Sequence, residues 1–278
     1  MKISISDMEF RYKFGEEEAF RLIIESGFDG VDYAICTPSG GVIDLTNHVE
    51  KAKETKNLLD KYSLEIYQAH SHWQCEFSDE FSDKTPWFDN LIKSIEFASI
   101  IGAKIIVVHA LKVPLGVDFL EVNLRFYKAL EPVAKKFGIK IGVENLLGSI
   151  FWTGRKLNQF LRILDSDVFT ACVDVGHSAI LGVEPENFIK EIDEELLGCV
   201  HIQDTDGKND KHWVPFDGVH NWEEITKALG KKNFSGFLNL ESAGGFRKLP
   251  LELHKDKLNF TAIVSKYLAE KVEEYKKG

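Results

Sequence analysis

The sequence predicts an α/β fold and, within that class, a single (β/α)8 TIM barrel spanning residues 1–278. Three observations predict it. Short apolar, β-branched runs alternate eight times with stretches of helical period, at about 35 residues per unit, and the length suits a barrel of about 250 residues. A histidine or a carboxylate stands at the end of six successive strand runs, on the rim where barrel enzymes gather their chemistry. The competing open doubly wound sheet calls for a glycine-rich phosphate turn after its first strand, and the segment SDMEFRYKFG has none.

Taken in order, residues 2–6 alternate as strand one. A helix over 16–26 carries Ala19, Leu22 and Ile23 on one face; Gly27 and Gly30 end it, and 31–35 form strand two. The turn-rich loop CTPSGG leads to a helix over 47–62 and to strand three over 66–70. The polar, aromatic segment SHWQCEFSDEFSDKTP precedes a helix over 87–101, capped by Gly102. Residues 105–109 (IIVVH) are the β-branched run of a strand buried on both faces of a parallel sheet. A helix over 117–137, strand five over 139–144, a helix over 153–165 and strand six over 171–174 follow. Then come a helix over 185–197, strand seven over 199–202, a helix over 222–229, strand eight over 237–241 and a terminal helix over 253–275. No linker or break in composition divides the chain.

Apolar residues make up 44% and charged residues 28%, the balance of a globular protein, and 20 phenylalanines can fill a large core. A net charge of −10 disfavours a general phosphate-backbone surface, so no nucleic-acid partner is expected. Cys36, Cys75, Cys172 and Cys199 match no zinc-finger spacing and are expected as reduced thiols. No apolar run is long enough for a membrane span and the N-terminus is not a signal peptide, so the expected location is cytoplasmic.

The strand ends carry the chemistry. Strand three ends in His70, strand four in His109, strand five in Glu144 and strand six in Asp174; strand seven carries His201 and strand eight ends in Glu241. Each lies about one unit after the last, so all six reach one rim. His177 follows Asp174, and Asp210 and His212 follow strand seven. A single histidine after a strand is usually a satisfied polar residue. Glu144 and Asp174, however, end strongly apolar runs, where a bare carboxylate is costly unless paired or metal-bound. Mixed nitrogen and carboxylate donors suit a divalent ion (Mn, Zn, Co or Mg), and the absence of cysteine ligands speaks against a closed structural zinc site.

At this point the segments VENLLG, CVDVGHSAI, VHIQDTDGKNDKH and LNLES resemble the motifs of the xylose-isomerase-like TIM barrels, over nearly the whole chain. That superfamily joins sugar isomerases and epimerases with DNA-repair enzymes of the endonuclease IV type. The resemblance implies one divalent metal per chain, held by Glu144, Asp174, His201 and Glu241, with His177 binding substrate. It implies a sugar or sugar phosphate isomerase or epimerase that works by proton transfer beside a carbonyl, through an enediolate. Glu144 and Glu241 would be acid and base on opposite faces of the sugar. The arginine that such epimerases often show after the strand-seven histidine is missing; the segment offers Lys208 and Lys211 instead.

The alternative is an endonuclease IV-like zinc phosphodiesterase, whose further ligands would fall on His70, His109, His177, Asp210 and His212. The acidic charge is unsuited to gripping duplex DNA. A dehydratase or lyase of the same superfamily is the third reading. In the carbohydrate reading His70, His109 and His212 line the substrate site, and Trp73, with Phe77 and Trp213, forms an apolar wall for the sugar ring. Arg247, beside Gly244 and Gly245, is a candidate phosphate contact. The terminal helix packs on the barrel, or serves a homo-oligomer contact.

Overall fold

The structure, a computed structural model, describes residues 1–73 and 81–276; Cys75 and Phe77 lie outside these. Eight parallel strands lie in the order β7-β6-β5-β4-β3-β2-β1-β8. They are β1 (Ile3–Ser6), β2 (Gly30–Ala34), β3 (Glu65–His70), β4 (Ile105–Val108), β5 (Lys140–Glu144), β6 (Phe169–Asp174), β7 (Leu197–His201) and β8 (Leu238–Leu240). Between β7 and β8 the sheet is joined by one parallel bridge, Ile202 to Leu240. There Ile202 N–H donates to the Asn239 carbonyl at 2.8 Å, and Glu241 N–H to the Ile202 carbonyl at 2.9 Å. The result is a nearly closed (β/α)8 barrel.

The helices are α1 (Met8–Phe14), α2 (Glu16–Glu25), α3 (His48–Lys61), α4 (Pro86–Ile101), α5 (Phe119–Phe137), α6 (Gly154–Leu164), α7 (Val175–Ile180), α8 (Pro185–Glu191), α9 (Trp222–Lys231) and α10 (His254–Lys276). Local chemistry sets several boundaries. Thr85 accepts the Phe88 N–H at the start of α4, where Pro86 needs no partner, and Gly102 ends it at φ 98°. Asp118 caps α5 and Thr153 caps α6 in the same way. Two helices were not expected, α1 and α7. Both are too short to show a helical period in the sequence.

Elsewhere the expected bounds hold to within two residues, with one correction: the helix expected over 185–197 stops at Glu191. Ile192 turns extended and is fully buried, and a short 3-10 turn, Glu194–Leu196, brings the chain into β7 two residues early.

Strand alternation sorts the side chains. Ile106, Val108, Ile141, Val143 and Val173 pack in the large cluster between strands and helices. Ile105, Val107, Cys172 and Cys199 form a separate apolar cluster with Tyr67. Cys36, Cys172 and Cys199 are free thiols and buried. Among the described residues no helix is long and apolar enough to cross a membrane.

The connection from β7 to α9 is fixed by one buried carboxylate. Asp204 accepts the Thr205, Phe216 and His220 backbone N–H groups at 2.9, 3.0 and 3.3 Å and the Trp222 indole N–H at 2.9 Å. It also pairs through its backbone with Trp213. Asp204→Ala leaves these donors buried without an acceptor and should cost about 3 kcal/mol. A urea midpoint unchanged from wild type would contradict this.

Candidate metal centre

The rim residues from β5 to β8 meet around the His201 ring. His201 Nδ1 lies 3.0 Å from Glu241 Oε2, 3.2 Å from Glu144 Oε1 and 4.0 Å from Asp174 Oδ2. Ligand-capable atoms of Glu144, Asp174, His201 and Glu241 all lie within 4.8 Å of one another. Ligand-capable atoms of His70, His109 and Glu144 also lie within 4.8 Å of one another.

Each side chain is held from behind. Asp174 caps α7: its Oδ1 accepts the His177 N–H at 2.7 Å, and its backbone is clamped by the Asn145 amide at 2.7 and 2.9 Å. His70 Nδ1 is 2.7 Å from the Ser71 carbonyl, so an N–H there turns Nε2 toward the cavity. His109 Nε2 lies 3.1 Å from His70 Nε2 and 2.8 Å from Glu144 Oε2. Glu144 Oε2 is buried and, beyond this ion-pair contact, has no hydrogen-bond partner.

His177 and the β7 loop close the upper side. His177 Nδ1 is 3.3 Å from Glu144 Oε1, and its Nε2 is 3.5 Å from Asp210 Oδ2. His212 Nε2 pairs with Asp210 Oδ2 at 3.0 Å, and its Nδ1 donates to the Glu241 carbonyl at 2.7 Å.

Electrostatics follow from burial and charge together. Burial pushes the Glu144 carboxyl up, but His201, His109 and His177 outweigh it and hold the group well below its usual range. Burial opposes the His201 imidazolium, yet Glu241 and Glu144 raise it well above the ordinary value. His177 is raised likewise, by Asp174, Asp210 and Glu144 against burial. Burial also acts on Glu241 and His212; their charged neighbours prevail and set them at about 2 and about 9. Asp174 is raised by burial. Glu144 and Glu241 are thus favoured in their charged forms by the histidines around them, whereas burial prevails at Asp174.

A divalent ion fits this donor set. One imidazole nitrogen and carboxylate oxygens from Glu144, Asp174 and Glu241 converge, and Glu144 Oε2 and His177 Nδ1 are buried without hydrogen-bond partners.

Three contributors were missed in the sequence. Asp32 on β2 is buried below His201, with Oδ2 3.6 Å from His201 Nε2. Asn239 and Gln68 donate to that oxygen at 2.8 and 3.3 Å, and Ser4 donates to Asn239 at 2.9 Å. A register shift in the β2–β3 pairing falls between Val31 and Tyr33, at Asp32 itself. The signal was present: an aspartate inside an apolar strand is as costly as Glu144. Asn145 follows Glu144 directly, and Gln203 lies two residues beyond His201, on the same inward face.

A cavity of about 530 Å³ opens above the cluster. Its lining includes His70, Trp73, His109, Glu144, His177, Asp210, His212, Glu241 and Arg247, together with Lys112 and Phe119. Trp73 packs edge-on to His70 at 5.5 Å. Trp213 is not among the described lining residues; its ring faces Lys211. Arg247 donates to Glu9 at 2.9 Å, and a side chain on Gly244 would meet the Lys211 carbonyl, so this segment is a packed turn with Arg247 at its edge.

Two outcomes are expected. Loading the metal-free protein at pH 7 with one equivalent of Mn²⁺ or Zn²⁺ should release about one proton, as His201 gives up its imidazolium; an indicator dye detecting none would refute this. Asp32→Asn should lower metal affinity by roughly 10- to 100-fold, read by chelator competition, because His201 loses the carboxylate behind it.

Comparison with known proteins agrees with the architecture. Inosose dehydratase of Bacillus thuringiensis is 23% identical over 267 residues, covering 83% of this chain and 84% of that protein. A D-tagatose 3-epimerase-like protein has a similar structure, with a TM-score of 0.74, 22% identity and coverage of 100% and 99% of the two chains. The IolI protein, solved with a zinc atom bound, superposes with a TM-score of 0.73 at 15% identity over 99% of each chain. The family description "Xylose isomerase-like TIM barrel" matches residues 20–261. The chain belongs to the xylose isomerase-like TIM barrel family.

Proposed function

We propose that the protein is a divalent-metal-dependent sugar isomerase or epimerase acting by proton transfer beside a carbonyl. The observation that carries this reading is the convergence of Glu144, Asp174, His201 and Glu241 at the floor of a sugar-sized cavity. A divalent ion held by these four would polarise the carbonyl and the neighbouring hydroxyl oxygen of the substrate. Glu144 and Glu241 come from β5 and from the end of β8 and reach His201 Nδ1 separately. One takes the proton from the carbon next to the carbonyl as the C–H electron pair moves toward oxygen; the other returns a proton from the opposite face. His177 and the His212–Asp210 pair offer hydrogen bonds to substrate hydroxyls, while Trp73 and Phe119 give the cavity an apolar side. Lys112 and Arg247, both on the cavity lining, are the candidates to meet a phosphate on a phosphorylated sugar, Arg247 with its Nε held by Glu9. The epimerase-like fold neighbour supports this reading, and so does the zinc-bound one.

The inosose dehydratase relative suggests a variant of the same chemistry, since loss of water beside a carbonyl begins with the same proton abstraction. A second reading, metal-assisted phosphodiester hydrolysis, is favoured by the additional group of His70, His109 and Glu144. More than one metal per chain together with cleavage of abasic-site DNA would establish it. For the proposed function we expect one metal per chain and deuterium uptake from D₂O into a ketose. Chelation should abolish the exchange and added Mn²⁺ should restore it. Glu144→Gln should reduce exchange by at least about 100-fold; wild-type exchange in that variant would remove Glu144 from the chemistry.

A further inference from the structure

We propose that Gln203 is a positioning residue that ties the metal ligand Asp174 to the substrate-facing pair Asp210 and His212. The inference rests on the reading of Asp174 as a ligand. Gln203 is fully buried. Its amide nitrogen donates to Asp174 Oδ2 and to Asp210 Oδ1, each at 3.0 Å. Its carbonyl oxygen accepts the His212 N–H at 2.9 Å. Both N–H bonds of the amide are therefore used, one on each carboxylate.

The geometry is specific to an amide. A carboxylate could not donate to two carboxylates, and an alkyl chain would leave both acidic groups without that donor. Space is specific too. A Cβ on Gly176 would lie 2.5 Å from the Gln203 Cδ, so the first turn of α7 must carry glycine for the amide to lie where it does. Asp174 Oδ1 is already committed to the helix cap, so Oδ2 is the oxygen left for an ion, and Gln203 sets its direction. The same amide fixes Asp210 Oδ1 while Oδ2 meets His212 Nε2, and it holds the backbone of His212, which is in the left-handed region at φ 51°. One side chain on β7's extension thus sets both the ion's ligand and the wall over it.

The test uses Co²⁺ as the probe in the full-length chain. Gln203→Met keeps the volume and removes all three hydrogen bonds. Gly176→Ala leaves Gln203 intact but displaces its side chain. In both variants the Co²⁺ dissociation constant should rise roughly 10- to 100-fold, with a changed d–d absorption spectrum. Where ketose exchange is measurable, KM should rise as the Asp210–His212 wall loosens. Circular dichroism establishes that each variant is folded, and either folded variant alone suffices. A Co²⁺ affinity and spectrum matching wild type in a folded variant overturns the proposal. The metal measurements stand without turnover, so failure of the sugar reading would show separately, as absence of exchange in the wild-type protein.

Discussion

Buried negative charge is the constraint on which the rest of this structure depends. The barrel gathers Glu144, Asp174 and Glu241 around one imidazole and places Asp32 beneath it and Asp210 above. In so little solvent these groups repel unless matched. The protein answers with protonated imidazoles, with the amides of Gln203, Asn239 and Gln68, and with the α7 N-terminus. Such an arrangement is tolerable for a fold and well suited to a cation. The site's composition follows from what its charges require, before any substrate is considered.

The layered barrel interior supports the arrangement from below. An apolar cluster of Ile105, Val107, Cys172 and Cys199 fills one layer. The network of Ser4, Asn239, Asp32 and Gln68 supports His201, and the ionisable rim faces the cavity. The β7 loop is held independently by Asp204, whose four hydrogen bonds put Asp210 and His212 over the rim instead of out in solvent.

The fold was legible in the sequence because strand and helix periods alternate cleanly and each strand ends in a chemically distinctive residue. His70, His109, Glu144, Asp174, His201 and Glu241 are legible as rim residues because a strand's end fixes where its last side chain must go; the choice of Glu144, Asp174, His201 and Glu241 among them comes from the resemblance to the xylose-isomerase-like barrels. What escaped depended on geometry without a periodic signature. Trp213 was expected on the cavity wall, but backbone pairing with Asp204 faces its ring toward Lys211. Asp210 and His212 were visible as candidates, while their mutual pairing required the left-handed turn at His212. Gln203 gives no signal in the sequence, because glutamine has no acid–base chemistry of its own; its significance comes from what it touches. Asp32 interrupts an apolar run as Glu144 does, yet it stands mid-strand, where no strand end marks it.

The seam between β7 and β8 has a wider meaning. All other neighbouring strands share several residue pairs, whereas this joint has a single bridge, and His201 and Glu241 stand on its two sides. The imidazole–carboxylate contact across it therefore adds to the two backbone hydrogen bonds that close the hoop. Residues proposed to hold the ion thus also stand where the circle of strands is most thinly joined.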